Sequence, residues 1–175
     1  MKTKSLTIAV FLMILSVNLS AQNIFFPEKH GGVLNVGVGI GGYTGAYNHT
    51  LPVFNLNYEF GVARNFTLAP FVTIYSYSDP YYRETVMPFG IKGTVYLDQL
   101  LRAGYNWDFY VAGSVGFSVV STVWDAAYPG DRTYYNDPSP LFLDFHLGTE
   151  YHLTKNVGIF LDLSTAVSSV GISLH

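Results

Sequence analysis

Eight residues have chemistry to offer: Glu59, Lys92, Asp108, Asp144, His146, Glu150, His152 and Asp162. They stand on alternate positions of otherwise apolar stretches, among Gly, Ser, Asn, Thr and Tyr. Carboxylates with imidazoles can move protons, hold a metal ion, or knit a buried network. Spacing decides among these for the two histidines. On an extended strand rising about 3.3 Å per residue, His146 and His152 lie about 20 Å apart, too far to share an ion. Hydrogen bonding in an enclosed space is therefore expected, with no metal centre and no cofactor.

The stretch that must position them is LFLDFHLGTEYHLTKNVGIFLDLS, residues 141–164. Leu141, Leu143, Phe145, Leu147, Thr149 and Tyr151 alternate with Phe142, Asp144, His146, Gly148, Glu150 and His152. Period two means a strand. Thr154, Lys155 and Asn156 break it, and Val157, Ile159, Leu161 and Leu163 restart it, which makes a hairpin with two chemically distinct faces.

Which face is enclosed follows from composition. Only 12% of the chain is charged, and 49% is hydrophobic. A barrel in water would carry many charges outside, whereas a face of Gly, Ser, Asn and Thr with scattered acids suits a narrow interior. The apolar face then meets lipid.

The first residues support export. Lys2 and Lys4 precede an apolar run from Leu6 to Val17, and Ser20-Ala21 follows, the pattern of a secretory signal peptide too short to span a bilayer as a helix. Cleavage is expected after Ala21. Residues 1–21 are thus read as signal peptide, 22–32 as a periplasmic leader, and 33–175 as one barrel domain. Loss of Lys2 and Lys4 leaves 7 basic against 12 acidic residues, so nucleic acid is not an expected partner. With no cysteine, disulfide and thiol chemistry are excluded.

The same periodicity predicts eight strands, near 33–43, 53–63, 66–75, 85–97, 107–121, 141–152, 157–164 and 167–175. Glycines on alternate positions of the GVGIGG stretch clear room for bulky side chains across a small barrel. Pro70 and Pro88 each remove a ladder donor, so a bulge or an interfacial position is expected at each. The two longest polar connections, 76–84 and 122–140, fall at one end, the asymmetry of long outer loops and short inner turns.

NFTLAPFV (65–72), VMPFGIKGT (86–94), LGTEYHLTKNVGIFLDL (147–163) and VGISL (170–174), with the Ser20-Ala21-Gln22 junction, resemble the small outer-membrane β-barrels of the OmpA/OmpX type, especially those of Bacteroidota. The resemblance implies an all-β, eight-stranded, antiparallel up-and-down transmembrane barrel in the outer membrane of a Gram-negative bacterium. It also implies outer-membrane lipid and the barrel-assembly machinery as partners. Such chains usually end in an aromatic ring, and here His175 stands in that place.

Within such a barrel, Glu59, Lys92, Glu150 and Asp162 all point inward about four to seven residues above the short turns, sharing a layer about 10 Å thick. An ion network that fills the lumen is expected, with at least one acid partly protonated unless Arg64, Arg102 or a loop arginine reaches in. Lipid-modifying barrels make an enzyme worth testing, but His146 is followed two residues on by Gly148 and His152 by Thr154, and no Ser/His/acid group is expected to form. The expected function is structural or surface-interacting, not enzymatic. Its contact surface is Tyr77, Tyr81, Tyr82, Trp124, Tyr128, Tyr134 and Tyr135, facing a surface protein or glycan. A small porin is the alternative.

Overall fold

The computed structural model describes residues 32–41, 52–78, 80–101, 103–104, 106–126 and 141–175. The signal segment with Ala21, nearly all of the leader, and Tyr128, Tyr134 and Tyr135 lie outside the described residues. Eight strands alternate up and down: β1 (Val33–Gly41), β2 (Val53–Ala63), β3 (Phe66–Ser78), β4 (Tyr82–Tyr96), β5 (Trp107–Trp124), β6 (Leu141–His152), β7 (Val157–Ser164) and β8 (Val167–Leu174). Each pairs antiparallel with its neighbour, and β8 returns to β1, so the barrel is closed and has no free edge.

Alternation builds the two faces. Outward-pointing side chains are apolar over the middle of the strands, with Phe145 69%, Phe54 63% and Phe117 59% exposed. The opposite face buries Glu59, Lys92, Asp108, Asp144, Glu150 and Asp162. A chain folding in water would reverse this arrangement. At the short-turn end Trp107 packs against Tyr151 with ring centroids 4.8 Å apart, placing amphipathic rings at one border of the apolar belt.

Of the two outcomes expected at the prolines, the bulge does not occur at either. The β2–β3 ladder skips Tyr58 and Glu59 opposite Pro70 and Ala69, and the β3–β4 ladder skips Thr73 and Ile74 opposite Pro88 and Met87, each without a change of register. On its other side each proline strand stays paired, Pro70 with Ile91 and Pro88 with Ser118. A strand residue directs its N–H to one neighbour only, so a proline weakens one ladder and spares the other. The register shift falls instead between Gly61 and Ala63, beside the short β2–β3 turn.

Three strands outrun their expected ends. β3 continues to Ser78, β4 begins at Tyr82 and β5 runs to Trp124, with Tyr82 opposite Trp124. Tyr77, Tyr82 and Trp124 are therefore strand residues, and of the first three loop tyrosines only Tyr81 lies in the connection. Polar residues such as Ser76, Ser78 and Thr122 read as loop in sequence, yet cross-strand pairing satisfies their backbone. At the other end the β4–β5 connection holds a short helix, α1 (Asp98–Leu101), and Asp98 Oδ1 accepts the Phe109 N–H at 2.6 Å.

Glycine makes the narrow interior possible. A Cβ at Gly37 would stand 2.9 Å from Phe160, one at Gly148 would overlap Tyr110, and one at Gly158 would overlap the Glu150 carboxylate. Gly37 faces Gly171 and Gly90 faces Gly116 across the strands, and a Cβ at Gly171 or Gly116 would press on backbone of the partner strand. Bulky inward side chains thus occupy room that small neighbours leave.

Candidate functional site

All eight residues singled out from sequence lie on the lumen face, at successive levels along the barrel. In the half of the lumen toward the short turns, Glu59 accepts from Thr67 Oγ1 at 2.6 Å, Tyr96 OH at 2.8 Å and Asn35 Nδ2 at 3.0 Å. Hydroxyl and amide donors hold this carboxylate, and the Tyr96 ring packs 5.9 Å from that of Tyr110, which leads to the next group.

In the middle, Lys92 Nζ lies 2.7 Å from Asp162 Oδ2 and 5.0 Å from the centroid of the Tyr110 ring. Tyr110 OH donates to the same carboxylate oxygen at 3.2 Å. The other oxygen, Asp162 Oδ1, lies 2.8 Å from His146 Nδ1, and His146 Nε2 lies 2.8 Å from Ser114 Oγ. Ser114, His146 and Asp162 thus take the arrangement of a charge relay, which sequence spacing did not reveal. Ladder register explains it: His146 faces Ala112 on β5, one step along the same face from Ser114, and Ser164 on β7, one step from Asp162. The cavity bounded by Ser114, His146, Lys92, Asp144, Phe71 and Phe142 measures about 20 Å³, room for about one water.

Toward the long-loop end, Asp144 accepts from Ser164 Oγ at 2.9 Å, Thr165 Oγ1 at 2.8 Å and the Ala166 N–H at 2.8 Å, tying the β7–β8 turn to β6. Beyond it Val53, Tyr75, Val86 and Val167 pack into an apolar plug with Val120 and Ala166. Glu84 is also buried, at 2% exposure, where the sequence placed a loop.

At the short-turn mouth, His152 Nε2 lies 2.9 Å from Asp108 Oδ2 and His175 Nε2 lies 2.7 Å from Glu150 Oε1. The imidazole that His152 meets is that of His175, with ring centroids 4.9 Å apart. The hydrogen bond to Glu150 raises the pKa of His175 above its ordinary value, against the opposing effect of burial. In sequence, His175 stands out only as a ring in the place where the resembled barrels carry an aromatic residue. Its backbone N–H donates to Asn156 O at 3.0 Å, which folds it over the β6–β7 turn toward Glu150.

On the opposite rim, Ser78, Pro80, Tyr81, Tyr82, Arg83, Val123, Trp124 and Asp125 line a cleft of about 390 Å³. Tyr82 and Trp124 pack at 5.1 Å between centroids.

A closed antiparallel barrel with an apolar outside and a polar, side-chain-lined inside defines the class: this is an eight-stranded up-and-down transmembrane β-barrel. No family model matches the chain, and no curated protein matches its sequence. Solved structures do. Neisserial surface protein A superposes with a TM-score of 0.58 at 12% identity, over 81% of this chain and 94% of that one. A de novo designed transmembrane β-barrel gives 0.50 at 11% identity, over 84% and 98%. At these identities the likeness is one of fold.

Proposed function

We propose that the chain is an integral protein of a Gram-negative outer membrane, exported by its N-terminal segment and inserted by the barrel-assembly machinery. There it acts as a structural or surface-interaction protein. The observation that carries this reading is the rim cleft of Tyr81, Tyr82 and Trp124 with Arg83 and Asp125, at the ends of two strands, β4 and β5, that outrun the apolar belt. Rigid aromatic surface flanked by one cation and one anion suits a glycan or a protein side chain. Among the described residues, the apolar plug argues against a conducting path, and the roughly 20 Å³ cavity beside Ser114 argues against an acyl substrate. We read Ser114, His146 and Asp162 as a structural network and the protein as no enzyme. The test compares the wild-type chain with a Tyr82→Ala, Trp124→Ala double variant, both folded in mild detergent, for capture of surface glycans and proteins. Loss of a captured partner in the double variant supports the reading. Equal capture by both chains, or steady single-channel conductance by the wild type, overturns it.

A further inference from the structure

The geometry points to a divalent transition-metal site at the short-turn mouth of the barrel, formed by Glu150, His152 and His175. One ligand atom from each lies within 4.8 Å of the others. Tetrahedral zinc with bonds of about 2.0–2.1 Å spaces its ligands about 3.4 Å apart, so small side-chain rotations suffice to close the set. Glu150 Oε1 already stands 2.7 Å from His175 Nε2 and 3.9 Å from His152 Nδ1.

Three independent features fit an ion there. His152 Nε2 is turned to Asp108 Oδ2 at 2.9 Å, so this nitrogen carries the proton and Nδ1 presents its lone pair toward Glu150. A carboxylate behind a metal-binding imidazole is the usual device for fixing the tautomer and raising ligand basicity. Gly158, which faces His152 across the β6–β7 ladder, leaves the space into which the Glu150 carboxylate folds. Access is graded, with Glu150 buried, His152 half-buried and His175 exposed, so an ion enters from the mouth without opening the barrel. Two imidazoles and one carboxylate suit Zn²⁺ and leave a fourth position for water. The ion replaces the proton shared between His175 and Glu150.

The test titrates Zn²⁺ alone into the chelator-stripped, detergent-folded chain by calorimetry, and Co²⁺ by its visible absorption. One ion per chain is expected. Glu150→Gln, His152→Ala and His175→Ala should each weaken Zn²⁺ binding more than tenfold, and Asp108→Asn about tenfold, while His146→Ala, deep in the lumen, should leave it unchanged. Heat-shifted electrophoretic mobility reports whether each variant folds. Should any ligand variant fail to fold, the wild type answers instead: Zn²⁺ must shift the ring resonances of both His152 and His175. No binding at micromolar Zn²⁺, unchanged affinity in His152→Ala and His175→Ala, or unmoved ring resonances would overturn the proposal.

Discussion

Lys92 Nζ and Asp162 Oδ2 sit 2.7 Å apart inside the barrel, their side chains 7% and 4% exposed. Two charges taken so far out of water persist because each has further partners: the Tyr110 ring beneath Lys92, and Tyr110 OH and His146 on Asp162. Lys92→Met leaves the Asp162 carboxylate without its cation, and about 3 kcal/mol of stability should be lost. Adding Asp162→Asn to that variant should restore part of it, because the orphaned charge is gone. Urea unfolding of the barrel in lipid vesicles measures both, and a double variant less stable than Lys92→Met would contradict the argument.

How far the lumen was legible in the sequence follows from what alternation can and cannot carry. Period two placed Lys92, Asp144, Glu150 and Asp162 on one face because a strand has only two faces. It could not place Ser114 beside His146, since that contact depends on register between β5 and β6, which two apolar strands do not declare. Nor could it bring His175 to Glu150, which requires the barrel to close and the last residue to fold over a turn. Trp124 and Tyr82 were misplaced for a different reason: outside the bilayer a strand no longer needs an apolar face, so the pattern fades before the ladder ends.

Glycine offers a contrast on two faces of one barrel. A Cβ at Gly171 would stand 2.6 Å from Gly37 Cα and 2.6 Å from Phe160 Cε1, whereas one at Gly113 would meet nothing within 4 Å. Gly171→Ala should therefore destabilise by about 2 kcal/mol through overpacking. Gly113→Ala should be neutral or stabilise by about 0.5 kcal/mol, because the unfolded chain loses freedom and the folded one gains no clash. Equal effects at the two positions in denaturant titration would contradict the packed interior.

Asp144 fastens a turn. Its carboxylate accepts three donors from Ser164, Thr165 and Ala166 while remaining 2% exposed. Asp144→Ala removes the acceptor and strands those donors, which should cost about 3 kcal/mol. The loss should appear first as faster amide hydrogen exchange at Thr165 and Ala166. Exchange there that matches the wild type would show that the β7–β8 turn holds itself.

The relay geometry of Ser114, His146 and Asp162 makes a sharp chemical expectation. A serine activated by a base reacts with fluorophosphonates, but the reagent needs space beside Ser114 Oγ, and the cavity there is about 20 Å³. The folded barrel should stay unlabelled. Labelling of the wild type that disappears in Ser114→Ala and in His146→Ala would reveal an open route and an active nucleophile, and the reading of this group as structural would fail.

The last expectation concerns the outer face. Val115 and Val123 both point outward on β5, 53% and 67% exposed, but Val115 faces Ile91 and Leu143 within the apolar belt whereas Val123 lies one residue from the rim tryptophan. In hydrocarbon an arginine near mid-membrane should destabilise by about 2–4 kcal/mol, and one near the interface by about 0–1 kcal/mol. Val115→Arg should therefore lose several times more stability than Val123→Arg when the barrel is unfolded from vesicles. In water an exposed arginine would be tolerated at both positions. Depth dependence along a single strand thus separates lipid from water as the solvent of that face, and two small, equal losses would mean that the apolar belt does not face a bilayer.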